Sequence, residues 1–229
     1  MTLASMAATL PAYLMPEPER NALSHSPSAA ADDAGESSDQ ESVRLMLRVK
    51  EGDVKAFEQL VELHQNAVVG TCARMLNNIE DAHDIAQQVF IRVWRSAPRY
   101  EVTAKFTTWL FTITRNLVFN ETRRRSRRKE VSMEQENEDD PPKYFADHST
   151  PGADHITQQT ELEQALDKAI AALPEKQRIA VIMRRHQDLP YEDICAVLKM
   201  SLPAVKSLLF RARTELRKHL AAHLGEDVE

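Results

Sequence analysis

From Ser42 onward the apolar residues of this chain recur at intervals of three and four, and only 5 of its 229 residues are glycine. That spacing builds one face of a helix and breaks the alternation that a half-buried strand needs. So few glycines leave little material for phosphate-cradling loops or tight hairpins, and an abundance of Ala, Leu, Glu, Gln and Arg favours helix further. An all-α fold is therefore expected. No run approaches the ~20 uncharged apolar residues of a membrane-spanning helix, and Pro11, Pro16, Pro18 and Pro27 fall where a secretory leader would carry its apolar segment. The expectation is a soluble, cytoplasmic protein without membrane insertion. Cys72 and Cys195 stand far apart with no CxxC, which supports neither a disulfide framework nor a thiolate metal site.

Composition divides the chain. Residues 1–41, rich in Ser, Ala, Pro and Asp without an apolar period, read as a disordered N-terminal extension. Four helical segments then fill 42–129. The first, through Val43, Leu47 and Lys50, stops at Gly52, and Asp53 caps the second, with Val54, Phe57, Val61, Val68, Cys72, Met75 and Leu76 on its stripe. His64 lies on that stripe and reads as a packed core residue. Asn78 opens the third, with Ile79, Ala82, Ile85, Ala86, Val89, Phe90, Val93 and Trp94 inward and a polar opposite face. After the loop from Pro98 to Lys105, the fourth carries Phe106, Trp109, Leu110, Ile113 and Leu117 inward and runs into an arginine cluster.

Residues 130–159 form an acidic segment with Pro141, Pro142, Pro151 and Gly152, the composition of a flexible, self-repelling linker. A second helical domain is expected over 160–222, with 223–229 as a tail. Its first helix carries Leu162, Leu166, Ala169, Ile170 and Leu173, and Pro174 begins a helix through Ile179, Ile182 and Met183. A break at Asp188-Leu189-Pro190 precedes a short helix with Ile194 and Leu198, a turn at Lys199-Met200, and a last helix capped by Ser201. In that helix Val205, Leu209, Ala212, Leu216 and Leu220 face inward, leaving Lys206, Ser207, Phe210, Arg211 and Arg213 outside. Short helix, tight turn and basic capped helix are the layout of a helix-turn-helix, whose second helix enters the major groove.

The net charge of −6 hides a strong asymmetry, because 101–129 sums to +6 and 130–163 to −9. Arg123-Arg124-Arg125-Ser126-Arg127-Arg128-Lys129 is followed directly by six carboxylates between Glu130 and Asp140. Bulk charge therefore says nothing against local contact with nucleic acid. Asn116 and Asn120, spaced i and i+4, share a helix face beside the cations Arg115, Arg123 and Arg124. No catalytic grouping of nucleophile, base and acid is evident. His219 and His223 share a helix face but lack further ligands, so no metal and no cofactor is expected. A stand-alone helix-turn-helix regulator that binds duplex DNA without polymerase is a competing reading.

Asp81-Ala82-His83-Asp84-Ile85-Ala86-Gln87-Gln88-Val89-Phe90 and Phe106-Thr107-Thr108-Trp109-Leu110-Phe111-Thr112-Ile113-Thr114-Arg115-Asn116 resemble the second conserved region of bacterial RNA polymerase sigma factors of the extracytoplasmic-function group. Leu173-Pro174 with Gln177-Arg178, Tyr191-Glu192-Asp193-Ile194, and Ser201 to Ser207 with Arg211-Ala212-Arg213 are similar to that group's fourth region. The resemblance implies two small helical domains, a region 2 bundle and a region 4 helix-turn-helix, that join core RNA polymerase to promoter DNA. It implies that Asp84, Gln87, Gln88 and Arg92 contact polymerase, and that the helix from Phe106, with the loop before it, reads and opens the minus-ten element, Asn116 and Asn120 presenting amides to an extruded base while Arg115, Arg123 and Arg124 hold phosphates. It further implies that Lys206, Ser207, Phe210 and Arg211 read the minus-thirty-five element while Arg213 and Arg217 meet phosphates, and that an anti-sigma factor is a partner. The sequence departs from the family pattern at Pro203 and Ala204, where Gly and Thr are common, at Leu208, which replaces a frequent Arg, and at Gln88, which replaces a usual Glu.

Overall fold

The computed structural model describes residues 29–132 and 153–224. Most of the expected extension and linker, and the last five residues of the tail, lie outside the described residues. Among the described residues eight α-helices run α1 (Ala29–Lys50), α2 (Val54–Leu76), α3 (Ile79–Ser96), α4 (Phe106–Ser132), α5 (Ala153–Ala172), α6 (Glu175–His186), α7 (Tyr191–Leu198) and α8 (Leu202–Leu224), with a 3-10 turn at Ala97–Arg99.

α1 begins at Ala29 rather than Ser42, so residues 29–41 of the expected N-terminal extension are helical. Its chain reverses at Gly52, whose φ of +94° suits a residue without Cβ. Asp53 then caps α2 by accepting from the Ala56 amide at 3.1 Å. On α2 the buried positions are Ala56, Leu60, His64, Val68, Thr71, Cys72, Met75 and Leu76. Of the positions read as inward, Phe57 and Val61 are half-buried against the core, whereas Val54 is exposed. α1, α3 and α4 all pack against this helix, and Ala56, Leu60 and His64 are the positions in its first half that they bury. His64 is core as read, with Nε2 at 2.9 Å from Ser42 Oγ, and burial lowers its pKa.

Asn78 caps α3 through the Glu80 and Asp81 amides, at 2.9 and 3.2 Å. Ala82, Ile85, Ala86, Val89, Phe90 and Val93 close the core between α2, α3 and α4. Trp109 packs edge-on to Tyr100, ring centroids 5.0 Å apart, and Phe106 is wholly inside. In the second half, Leu166, Ile170, Leu173, Ile179, Ile182 and Met183 meet Ile194, Val205, Leu209, Leu216 and Leu220, all buried. The turn between α7 and α8 is set by Lys199 in the left-handed region, φ 55°. Leu208 is buried as well, so that departure from the family pattern adds to the core.

The halves touch. α4 packs along α7, and α2 against α6. Arg178 Nη1 donates to Met75 O at 2.9 Å and Nη2 to Leu173 O at 3.0 Å, which ties the start of α6 to the end of α2. Gln187 donates to Ala67 O and Thr71 Oγ1 at 3.4 and 3.3 Å, and Lys105 pairs with Asp193 at 3.3 Å.

Candidate nucleic-acid interface

The basic stretch of α4 is ordered by two carboxylates. Glu121, buried, accepts from Arg124 Nε and Nη2 at 2.8 and 2.9 Å and from Arg125 Nε at 3.1 Å. Those hydrogen bonds, Arg124's first, hold its carboxyl below the usual range. Arg125 also reaches Leu76 O at 3.2 Å and forms an ion pair with Asp81 on α3. One guanidinium thereby links three helices. Arg124, read as a phosphate contact, is exposed with its fork occupied by Glu121. Arg123, Arg127 and Arg128 face solvent.

Asn116 and Asn120 are both exposed, one turn apart. Arg115 is half-buried, its guanidinium carbon 5.7 Å from the Phe119 ring centre, and its Nε and Nη2 have no partner among the described residues. Burial, then the charge of Arg123, lowers its pKa. Asp84, Gln87, Gln88 and Arg92 line the outer face of α3, all exposed. Beside them, between α2 and α3, an apolar groove of about 550 Å³ is walled by Phe57, Val61, Phe90, Ile91 and Trp94. Sequence reading placed Phe57 and Trp94 in the core; Phe57 is half-buried against it and Trp94 is exposed, and their rings meet edge-to-face at 5.0 Å in the groove wall.

On α8 the outer face carries Lys206, Ser207, Phe210 and Arg211, with Phe210 69% exposed. Arg213 is not on that face. It is buried, with Nε donating to Leu209 O at 3.3 Å and Nη2 to the Tyr191 hydroxyl at 3.4 Å, so the structure gives it a packing role between α7 and α8 where a phosphate contact was expected. Its long apolar stem fits the inner stripe while its head finds acceptors. Arg217, one turn on, is half-buried. Among the described residues no group of three or more His, Cys, Asp or Glu is placed to hold a metal, and no helix is long and apolar enough to cross a membrane.

A bundle ending in a cationic helix, joined to a helix-turn-helix, matches two family descriptions in order: Sigma-70 region 2 over residues 60–128 and Sigma-70 region 4 over residues 163–216. Together they define a sigma factor, the class of protein that directs RNA polymerase to promoters. RNA polymerase sigma-H factor of Pseudomonas aeruginosa is 31% identical over 80% of this chain and 95% of its own length. The extracytoplasmic-function factor SigW of Bacillus subtilis is 28% identical over 76% and 93%. The sigma factor RpoE of Bartonella quintana, solved in complex with the anti-sigma factor NepR, superposes with a TM-score of 0.60 at 26% identity, over 73% of this chain and 98% of that one. The chain belongs to the extracytoplasmic-function group of RNA polymerase sigma factors. Its function is promoter-specific initiation of transcription, and nothing in these similarities favours a stand-alone regulator.

Proposed function

We propose that the exposed face of α3, with Asp84, Gln87, Gln88 and Arg92, docks on core polymerase, while α4 and the loop before it open the minus-ten element. Asn116 and Asn120 then take an extruded base, and Arg115 and Arg123 hold the strand's phosphates. On the second domain Lys206, Ser207, Phe210 and Arg211 read the minus-thirty-five element, and Arg217 grips its backbone. The observation that carries this reading is the split of α8 into a buried apolar stripe and an outer face presenting those four side chains in its first two to three turns, where a recognition helix meets base edges. The action is one of binding alone: melting is driven by capture of the displaced strand, so the protein needs no catalytic group and works in the cytoplasm beside its polymerase. An anti-sigma factor is the proposed inhibitory partner, by analogy with the NepR complex.

Run-off transcription with purified core polymerase on a two-element promoter tests it. The full chain is expected to direct a specific transcript, and fragments 29–132 and 153–224 are expected not to. A full-strength transcript from either fragment on that promoter refutes the division of labour.

A further inference from the structure

The helix that α4 presents to DNA has no cap of its own. Its N-cap position is Lys105, whose ammonium can only donate and which turns instead to Asp193. The first amides of α4 therefore lack a local acceptor. The acceptor comes from 67 residues upstream. Asp39 on α1 takes the Phe106 amide at 3.1 Å through Oδ2, and the Thr107 amide and hydroxyl at 3.0 Å each through Oδ1. Its negative charge also sits at the positive end of the α4 dipole.

The same helix pins the other side of the loop. Lys50, at the end of α1, donates from Nζ to Tyr100 O at 2.8 Å. Between these pins, Tyr100 and Phe106 are buried at 3% and 1% exposure, whereas residues 101–105 are all exposed. Between its ends α1 is locked inward by Ser42 on His64, whose ring lies 5.1 Å from that of Phe106. A solvent-facing loop is thus held at both feet by a helix that lies outside the residues 60–128 matched to region 2. Fixing the feet of such a loop lowers the ordering entropy lost when it engages a strand.

We propose that Asp39, with Lys50 as its counterpart, is a positioning residue for promoter opening: α1 sets the start of α4 and the loop before it in the geometry that captures the melted strand. This rests on the reading of α4 given above. The test uses holoenzyme assembled from full-length Asp39→Ala, Asp39→Asn and Lys50→Met proteins, with permanganate reactivity of unpaired thymines as the measure of opening. Loss of an N-cap acceptor converts to about a five- to tenfold fall in opening of a duplex promoter for Asp39→Ala. A smaller fall in the same direction is expected for Lys50→Met, whose exposed position keeps folding out of question. Asp39→Asn, which keeps an acceptor, is expected to remain within about twofold. Core affinity is expected to be unchanged, and a template already unpaired at the minus-ten element is expected to restore the transcript. Parental opening by both Asp39→Ala and Lys50→Met overturns the proposal, as does a loss that the unpaired template does not relieve. Asn116→Ala combined with Asn120→Ala is run alongside. If that pair opens the duplex normally while Asp39→Ala does not, the capture reading fails and the cap acts through another part of the loop.

Discussion

The two helices proposed to meet DNA, α4 and α8, are both rich in arginine, yet they hold their cations differently. On α4 the charges are fastened lengthwise, with Glu121 gripping Arg124 and Arg125, and Arg125 reaching on to Asp81 and Leu76. On α8 they are sorted by face, Arg213 packed inside against Tyr191 and Arg211 left outside. A count of basic residues would treat the helices alike. Their surroundings differ: Arg124 and Arg125 already hold carboxylate or carbonyl partners and Arg213 is buried, whereas Arg123, Arg127, Arg128 and Arg211 face solvent.

The sharpest way to break this comparison is to remove the fastening residue of α4. Arg125→Ala strips a shared partner from Glu121 and Asp81 and is expected to cost about 1.5–3 kcal/mol in urea unfolding, whereas Arg128→Ala on the solvent side stays within about 0.5 kcal/mol. Equal effects would mean that the cluster is a solvated run after all. On α8 the neighbouring arginines are expected to part ways. Arg213→Ala should lose about 1–3 kcal/mol of stability by forfeiting its stem packing and two hydrogen bonds. Arg211→Ala should unfold like the parent and lose about 1–3 kcal/mol of binding on the preferred upstream element, much less on a scrambled one.

A third effect falls at the seam between the halves. Burial, followed by the charges of Arg74 and Arg185, pushes the pKa of His186 down to about 3, against 6.5 for a free imidazole. As pH falls below 6.5 the unfolded chain takes up a proton that the folded chain refuses, so stability falls with pH through this window. A loss of about 1–2 kcal/mol between pH 6.5 and 5 is expected by chemical denaturation, and His186→Gln should flatten the dependence, leaving the smaller part due to His64, whose pKa is lowered in the same sense. The smallest effect separates an exposed cation from the fastened ones. Arg123→Ala should weaken holoenzyme binding to all promoters alike and reduce the salt slope by about one counterion, while Arg124→Ala, whose fork is already on Glu121, changes the slope less.

What could be read from sequence followed from periodicity. The α8 stripe of Val205, Leu209, Ala212, Leu216 and Leu220 is buried throughout, and caps at Asp53 and Asn78 stand where their spacing put them. Periodicity fell short in one helix. On α2 it rightly placed His64, Val68, Cys72 and Met75 inside, but it picked out the exposed Val54 and passed over Ala56 and Leu60, which face the core, a choice made by the neighbouring helices and not by the segment itself. Arg213 was misread because a charged head implies solvent, and its acceptor, the Tyr191 hydroxyl, belongs to another helix. Asp39 was invisible for the same reason at longer range. It lies in a Ser- and Asp-rich stretch that reads as disordered, and nothing near it in sequence announces the helix it caps.

The contact between the halves, through Arg178, Gln187 and the Lys105–Asp193 pair, has a consequence in mass action. Each half is a ligand for the other at the effective concentration imposed by a shared chain. Anything that engages the two halves apart finds only the fraction of molecules in which they have parted, so its apparent dissociation constant rises by the reciprocal of that fraction. Substitutions at Gln187 or Asp193 therefore tune the affinity of such a ligand without altering the surface it binds.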